Sequence, residues 1–329
     1  MRRLGLACVL AVACSDDGVP AADSGGSGGT SGTTIDGTVP QTTGAEVTTV
    51  DSSVSGVEST GGSDDSGLDG TTGAPPMGSA GCGMAATAGA TPLQIDVNGT
   101  MREYTLVVPE GYDASTPYPL VFAWHGLGSN GEQARLYFQI EQASEGAAIL
   151  IYPDGLPLES MGGQTGWDLA PEGVDVQFFD AMLAATTSTL CIDEARVFSA
   201  GHSFGGYISN ALGCFRASVL RAIGPVAGGP PFGECEADER VAAIMIHGSL
   251  DMVVPIEQGV AARDNVLARN GCADTTMPHD PAPCAAYDGC MPGYDVWWCE
   301  HDIADFSGHT WPPFAGSGIW GFFAALPPE

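Results

Sequence analysis

The chain has 329 residues, with 10 arginines, no lysine and 40 acidic residues, which gives a formal net charge of −30. From Gly81 onward there are 8 arginines and 30 acidic residues, so this part alone carries a charge of −22. A field of this sign repels nucleic acid and anionic surfaces, and we therefore expect no nucleic-acid partner.

Residues 1–14 have the pattern of an export segment. Arg2 and Arg3 are followed by an apolar run that is too short to span a bilayer, and the run ends at Cys14. The letters LAVAC resemble a bacterial lipobox, which would make Cys14 the lipid-modified first residue of the mature chain. A simple secreted protein is the alternative. Both place the protein outside the cell or at its surface, with membrane contact only through a lipid on Cys14.

Residues 15–79 consist almost entirely of Gly, Ser, Thr, Asp, Ala, Pro and Val, without Phe, Trp, Tyr or Arg. Such a segment cannot bury enough apolar surface to offset the loss of chain entropy, so its composition predicts a disordered stalk. Residues 80–329 remain, which is a suitable length for one α/β domain.

The elements of the folded part alternate between strands and helices. Residues 102–109 alternate polar and apolar side chains, whereas 119–126 and 147–155 are continuous apolar runs, as in buried parallel strands. Residues 129–146 show helical spacing between those two runs. The later predicted elements are strands at 196–200, 240–248 and 294–299 and helices at 173–190, 204–214 and 256–271. This order predicts a mostly parallel sheet with helices on both faces.

The letters Gly201-His202-Ser203-Phe204-Gly205 lie between a predicted strand and a predicted helix. They match the G-x-S-x-G nucleophile elbow, in which a serine occupies a strained turn at the carboxyl edge of the sheet. The flanking glycines relieve crowding there, and the following helix N-terminus favours a developing negative charge. We predict that Ser203 is a nucleophile; a serine in an ordinary tight turn is the alternative.

A serine nucleophile needs a carboxylate to orient its histidine base, and in this type of fold the acid follows the serine in the chain. Asp251 lies just after the strand at 240–248, at the sheet edge where the acid belongs. Asp264 lies within a predicted helix and Asp280 in a cysteine-rich loop. The acid is therefore predicted to be Asp251.

The histidine base should lie in a loop after the last strand. His309 follows a glycine in such a loop, before the final helix, whereas His301 lies in or just after the strand at 294–299. We favour His309 as the base and keep His301 as the alternative. The remaining histidines, expected to be structural, are His125, His202, His247 and His279.

The oxyanion of an acyl-transfer intermediate would be held by two backbone amides. One is that of Phe204, directly after the predicted nucleophile. The other lies in the loop after an early strand, where His125-Gly126-x-Gly128 indicates a tight turn, and we assign it to the region of Leu127.

Ten cysteines divide into two in the export segment and eight in the predicted domain. An even number of cysteines in an exported domain predicts disulfides, whereas the absence of a C-x-x-C pair argues against zinc, and we expect no metal. The eight candidates are Cys82, Cys191, Cys214, Cys235, Cys272, Cys284, Cys290 and Cys299.

Two disulfide hypotheses follow. Cys191 precedes the elbow strand and Cys214 ends the helix that runs back from Ser203, so both should lie at the amino edge of the sheet and could pair. The cysteines from Cys272 to Cys299 would cross-link a surface insert between the acid and the base.

With these residues in view, the part from 80 to 328 resembles the secreted carbohydrate-esterase group that contains feruloyl esterases and polyhydroxybutyrate depolymerase-like lipoproteins. The resemblance implies an α/β-hydrolase fold with an insert, cross-linked by disulfides, between the acid Asp251 and the base His309. The matching stretches are SAGCG, YPLVFAWHGLG, IYPDG, GWD, DEARVFSAGHSFGG, IHGSLDMVVP, RNGC, YDGCMPGYDVWWC and GHTWP.

The resemblance implies Ser203 as nucleophile, Asp251 as acid and His309 as base, in agreement with the argument from the residues. It also implies that Trp167 and Trp311 lie near the acyl pocket. The chain departs from the group at Phe306 and Ser307, where members often carry glycines ahead of the base.

The leading hypothesis is an extracellular serine esterase that works through an acyl-enzyme without a cofactor, as a monomer. We rank feruloyl or related plant-wall esters, linked to xylan, first among its substrates, then short-chain polyester of the polyhydroxybutyrate type, then acetylated xylan. A hypothesis of another class is a non-catalytic polymer-binding surface lipoprotein.

Overall fold

The apolar runs of the sequence form the middle of a large sheet in a computed structural model that describes residues 78–236 and 238–328. The predicted export segment, 1–14, and nearly all of the predicted stalk, 15–79, lie outside these residues. The strands are β1 Gly89–Val97, β2 Thr100–Val108, β3 Tyr118–Trp124, β4 Ile149–Pro153, β5 Leu156–Leu158, β6 Gln164–Gly166, β7 Ile192–His202, β8 Ala222–Val226, β9 Ala242–Gly248, β10 Thr276–Pro278, β11 Cys284–Tyr287 and β12 Val296–His301. The helices are α1 Gly131–Phe138, α2 Ile140–Ser144, α3 Val174–Thr189, α4 Phe204–Phe215, α5 Ile256–Asn270 and α6 Ala315–Ala325.

Ten of the described strands form one sheet in the order β1-β2-β4-β3-β7-β8-β9-β12-β11-β10. The six central strands, from β4 to β12, run parallel, and antiparallel strands extend both edges. The helices α3, α4 and α5 pack against one face of the sheet, and α1, α2 and α6 pack against the other. The predicted mostly parallel sheet with helices on both faces is confirmed.

The single helix predicted at 129–146 is wrong. The structure has two helices there, α1 and α2, which are separated at Gln139 by a left-handed backbone conformation (φ 57°). The N-terminus of α6 packs against this break so closely that a Cβ on Gly316 would overlap the carbonyl oxygen of Phe138. The tertiary contact with α6 therefore coincides with the interruption of the helical pattern.

The disulfide predicted between Cys191 and Cys214 is also wrong. The backbone around Ser79 lies against the start of β7, where the Ser79 amide donates to the Ile192 carbonyl at 2.9 Å. This brings Cys82 to Cys191, and the two form a disulfide. Ser79, assigned above to the stalk, is therefore buried.

The segment between Asp251 and His309 carries an insert with two disulfides, as predicted. The strands β10 and β11 add to the edge of the sheet beside β12. Cys284 and Cys299 face each other across β11 and β12 and are bonded. The other described disulfides are Cys272–Cys290 and Cys214–Cys235. Among the described residues, no helix is long and apolar enough to cross a membrane.

Candidate active site

Ser203 occupies the turn between the end of β7 and the start of α4. Its backbone has φ 58° and ψ −119°, a conformation that costs a non-glycine residue free energy and that occurs preferentially at functional sites. Its amide donates to the carbonyl of Val226 in the neighbouring strand at 2.9 Å, which fixes the turn to the sheet. The strained turn lifts the serine clear of the sheet edge, as the elbow motif requires.

The glycines of the motif are required by packing. A Cβ on Gly205 would overlap the carbonyl oxygen of Trp124 in the neighbouring strand β3, and one on Gly201 would lie 2.7 Å from that same oxygen. Real Cβ atoms do not approach a backbone oxygen this closely. Glycines at these two positions of G-x-S-x-G therefore allow α4 to pack closely against the sheet beneath Ser203.

Asp251 lies in the turn after β9, with its side chain fully buried. One carboxylate oxygen, Oδ1, accepts hydrogen bonds from the amides of Val253 (2.9 Å) and Val254 (2.8 Å). The other, Oδ2, lies 2.7 Å from Nδ1 of His309. Because an ionised carboxylate only accepts hydrogen bonds, Nδ1 of His309 carries the proton and Nε2 is left free to accept one.

The pKa of Asp251 reflects two opposing effects. Burial raises it, but the hydrogen bond and charge of His309, together with the amides of Val254 and Val253, outweigh burial and hold the pKa below its usual value. Asp251 is therefore ionised at neutral pH, which is the state that can orient the imidazole of His309.

His309 follows a short turn, Asp305–Gly308, and its ring stacks on that of His202 with the centroids 4.8 Å apart. This stacking places the imidazole beside the residue that directly precedes Ser203. The described structure has no hydrogen bond between the Ser203 hydroxyl and the His309 ring. Such bonds are often long in an enzyme without substrate and shorten when the complex forms.

His202 remains neutral next to this pair. Burial and the neighbouring charge of His309 lower the pKa of His202 well below its usual value. Its Nε2 is buried and has no hydrogen-bond partner among the described residues. From the sequence we expected only a structural role for His202; its position next to Ser203 in the motif was the available sign of its contact with His309.

His301, the alternative base, lies in β12. Its backbone carbonyl accepts from the Ser249 amide at 2.8 Å, but neither ring nitrogen has a partner within residues 78–236 and 238–328. Among the alternative acids, Asp264 is exposed on α5 and paired with Arg263. The structure therefore brings together Asp251 and His309 and leaves His301 and Asp264 outside the pair.

The loop after β3 lies against Ser203, since a Cβ on Gly126 would be 3.9 Å from the serine Oγ. The Leu127 amide has no hydrogen-bond acceptor among the described residues. The Phe204 amide is in the first turn of α4, where backbone N–H groups have no partner within the helix. These two amides are the ones that the sequence analysis assigned to the oxyanion.

His125, expected from the sequence to be structural, fixes this loop by two hydrogen bonds. Its Nε2 accepts from the Gly155 amide at 2.9 Å, so the proton is on Nδ1, which donates to the Gly126 carbonyl at 2.7 Å. Burial lowers the pKa of His125 and keeps the ring neutral. The short β5–β6 hairpin adds a second support, because the Thr165 carbonyl accepts from the Gly128 amide at 2.8 Å.

The two tryptophans named by the resemblance are largely buried. Trp167, which is 2% exposed, donates its indole N–H to the carbonyl of His125 at 2.8 Å and so supports the loop from below. Trp311 stacks on Phe138 with the ring centroids 4.1 Å apart and meets His202 edge to face. Both tryptophans thus contact residues next to the site.

Within residues 78–236 and 238–328, no group of three or more His, Cys, Asp or Glu side chains is arranged to hold a metal ion. The groups present at the elbow are a half-buried serine, a buried carboxylate paired with a half-buried imidazole, and two amides near the serine.

Known relatives identify the family to which this arrangement belongs. Feruloyl esterase D of Neurospora crassa is 33% identical over 272 residues, which cover 75% of this chain and 90% of that protein. Feruloyl esterase C of Emericella nidulans is 34% identical over 244 residues, covering 70% of this chain and 85% of the relative. The chain belongs to the feruloyl esterase family. No protein-family model matches it.

The feruloyl esterase family consists of carboxylic-ester hydrolases, so the predicted enzyme class is confirmed. A solved structure of acetyl xylan esterase from Aspergillus awamori aligns with a TM-score of 0.57 over 71% of this chain and 99% of its own, at 16% identity. This likeness shows the fold, and the predicted α/β-hydrolase fold is confirmed. The four disulfides of the described residues fit an oxidising, extracellular compartment.

Proposed function

We propose that this protein hydrolyses feruloyl or related esters of plant cell-wall polysaccharide, with Ser203 as nucleophile, His309 as base and Asp251 as the acid that orients it. The observation that carries the proposal is the 2.7 Å contact of Asp251 with His309, whose ring stacks on the residue before Ser203. The substrate class is supported by the names of the relatives, which are feruloyl esterases.

In the first half-reaction, Nε2 of His309 takes the proton of Ser203 as its Oγ attacks the ester carbonyl carbon. The carbonyl oxygen becomes an oxyanion, which accepts hydrogen bonds from the amides of Leu127 and Phe204. The intermediate then collapses, the bond to the alcohol oxygen breaks, and His309 gives its proton to that oxygen. The products are free alcohol and an acyl group on Ser203.

In the second half-reaction, water replaces the alcohol. His309 takes a proton from the water, whose oxygen attacks the acyl carbon through a second oxyanion in the same position. Collapse returns the proton to Ser203 and releases the carboxylic acid. The overall reaction consumes one ester and one water, and it uses no cofactor or metal.

The two alternatives have less support. The relatives' names favour feruloyl esters over a short-chain polyester of the polyhydroxybutyrate type. A non-catalytic polymer-binding lipoprotein would have no need of an ionised acid and a correctly protonated imidazole beside a strained serine. We therefore keep the esterase as the proposal.

We further propose that the enzyme works as a monomer on an ester carried by a polysaccharide and that it does not bind nucleic acid, because of its negative charge. Cys14 is proposed to carry the lipid that would tether it to the membrane. Incorporation of a labelled fatty acid in an expressing bacterium tests this. The label should be lost in Cys14→Ser, and a protein that remains unlabelled with Cys14 intact is secreted without an anchor.

The test of the function compares three substrates: methyl ferulate, p-nitrophenyl butyrate and amorphous polyhydroxybutyrate. The protein should release ferulate, and Ser203→Ala should abolish the release while leaving the circular dichroism spectrum unchanged. Hydrolysis of butyrate or polyester alone would reject feruloyl esters as the substrate class. Full activity in Ser203→Ala would reject the nucleophile.

A further inference from the structure

Three large apolar side chains are exposed directly beside the acid–base pair. Leu250 and Met252 flank Asp251 in the chain and are 49% and 82% exposed, and Phe306, three residues before His309, is 78% exposed. Apolar side chains that are exposed together next to a functional site mark a binding surface more often than isolated ones do. We call Leu250, Met252 and Phe306 the apolar rim.

The backbone holds the apolar rim in place. Phe306 (φ 53°) and Ser307 (φ 62°) are consecutive non-glycine residues in the left-handed region, which costs each of them about 1 kcal/mol or more. The Ser307 carbonyl accepts from the Met252 amide at 2.9 Å, and the Phe306 carbonyl accepts from the His309 amide at 3.2 Å. The acid loop and the base loop are therefore joined, and Phe306 is fixed in an exposed position against its backbone preference.

The rim lies on the alcohol side of the ester. In the proposed mechanism His309 delivers its proton to the leaving alcohol oxygen, so this oxygen must lie against the imidazole. The acyl carbonyl points instead toward the Leu127 and Phe204 amides. A side chain on the turn that carries His309 is therefore positioned to meet the group that bears the alcohol.

The charge around the rim favours a neutral ligand that carries hydroxyl groups. Asp302 and Asp305 are exposed on the same segment as Phe306, and no arginine lies between Asp251 and Ile256 or between Glu300 and Glu329. Carboxylates accept hydrogen bonds from hydroxyls, whereas they repel an anionic polymer. An exposed aromatic side chain on a segment that also carries such acceptors matches the mixed apolar and hydroxyl surface of a neutral sugar ring.

We propose that the apolar rim binds the neutral sugar chain whose hydroxyl forms the ester, and that Phe306 is its specificity-determining residue. This inference rests on the proposed function and adds to it the recognition of the alcohol component. It predicts that the enzyme distinguishes an ester on an oligosaccharide from the same acyl group on methanol.

The test compares Phe306→Ala with the unchanged protein on ferulate esterified to a neutral xylan oligosaccharide and on methyl ferulate. Loss of one aromatic contact should lower kcat/KM on the oligosaccharide ester about threefold to tenfold, mainly through a higher KM. On methyl ferulate the change should stay within about twofold. Phe306→Tyr, which keeps the ring, should restore the preference. Met277→Ala, which removes an exposed methionine on the edge strand β10, is the surface control and should leave kcat/KM on both esters unchanged.

An equal loss on both esters in Phe306→Ala would overturn the inference, because it would mean that the ring contacts the acyl group or supports His309. An unchanged kcat/KM on both would overturn it as well. A wild-type enzyme that releases ferulate from neither ester would instead overturn the proposed function, so the two failures are distinguished by the wild-type activity alone.

Discussion

Replacement of Asp251 by asparagine should disable the base by changing which nitrogen of His309 carries the proton. Oδ1 of Asp251 accepts from two amides, those of Val253 and Val254, and only an oxygen can occupy this position. In Asp251→Asn the NH2 group must therefore take the place of Oδ2 and face Nδ1 of His309. An NH2 group donates, so Nδ1 must accept, and the imidazole proton moves to Nε2. His309 can then no longer take the proton of Ser203.

The expected loss is large because the base is converted to the wrong tautomer rather than displaced. We expect kcat on methyl ferulate to fall about 10³- to 10⁴-fold, the size of effect that the same tautomer change has in other serine hydrolases, or about 4–5.5 kcal/mol of barrier. Initial rates at pH 7.5 over a range of methyl ferulate concentrations separate kcat from KM. KM should change little, because Asp251 does not contact substrate.

Asp251→Ala is the control that distinguishes the wrong tautomer of His309 from a loss of the position of its ring. Alanine leaves the two amides without an acceptor and frees the imidazole, but it does not force the proton onto Nε2. The nearly isosteric asparagine should therefore be at least as damaging to kcat as alanine, although it disturbs the fold less in thermal unfolding. A loss below about tenfold in Asp251→Asn, with the fold intact, would refute the assignment of Asp251 as the acid.

Three further predictions concern stability. Burial lowers the pKa of four histidines in the folded protein, namely His125, His202, His247 and His301. As the pH falls, the unfolded chain therefore binds protons at these residues before the folded protein does. The folded state is favoured fully above about pH 6.5, and below this pH its free energy of unfolding decreases by up to about 1.4 kcal/mol per pH unit for each histidine. Tm should therefore drop between pH 7.5 and 5.5, less so in His125→Gln, and a flat Tm would contradict the burial of these rings. Removal of the disulfide Cys82–Cys191, which closes a loop with a separation of 109 residues, should lower the free energy of unfolding in urea by about 4.7 kcal/mol. Removal of Cys284–Cys299, with a separation of 15 residues, should lower it by about 3 kcal/mol. The reverse ranking would contradict the loop-closure argument. Gly205→Ala would force α4 away from Trp124 and should cost about 2–4 kcal/mol of unfolding free energy together with most of the esterase activity, whereas an unchanged protein would show that the contact can relax.

Elements with a strong local pattern could be predicted from the sequence. The strands β3, β4 and β9 are continuous apolar runs, and they lie in the middle of the sheet where such runs belong. Ser203, Asp251 and His309 could be placed at the carboxyl edge because each follows a recognisable strand. Their chain order and position relative to the strands carry enough information for that.

Elements that depend on distant contacts could not be predicted. The strand β8 contains Gly224 and Pro225, residues that argue against a central strand. Its glycine is needed because a Cβ there would lie 2.8 Å from Ile319 on α6, a residue almost a hundred positions away. The pairing of Cys191 depends in the same way on where the segment with Cys82 lies against the start of β7.

The hydrogen bonds that fix the loop after β3 next to the site could not be predicted, for the same reason. The letters at Thr165 give no sign that its carbonyl fixes the loop after β3, because the hairpin that carries it is only two three-residue strands. The sequence shows that His125 precedes a glycine at the end of a predicted strand, but the hydrogen-bond partner of its ring, the Gly155 amide, is 30 residues away. Such roles come from hydrogen bonds across the fold, which spacing does not encode.

The most direct test of the central claim is to trap the acyl-enzyme. Full-length protein mixed with methyl ferulate, quenched in acid within the first turnovers and digested, should yield one peptide with the mass of an added feruloyl group, attached at Ser203. Ser203→Ala and Asp251→Asn should show no adduct under the same conditions. A feruloyl group on another residue, or ferulate release in Ser203→Ala at the wild-type rate, would contradict the account.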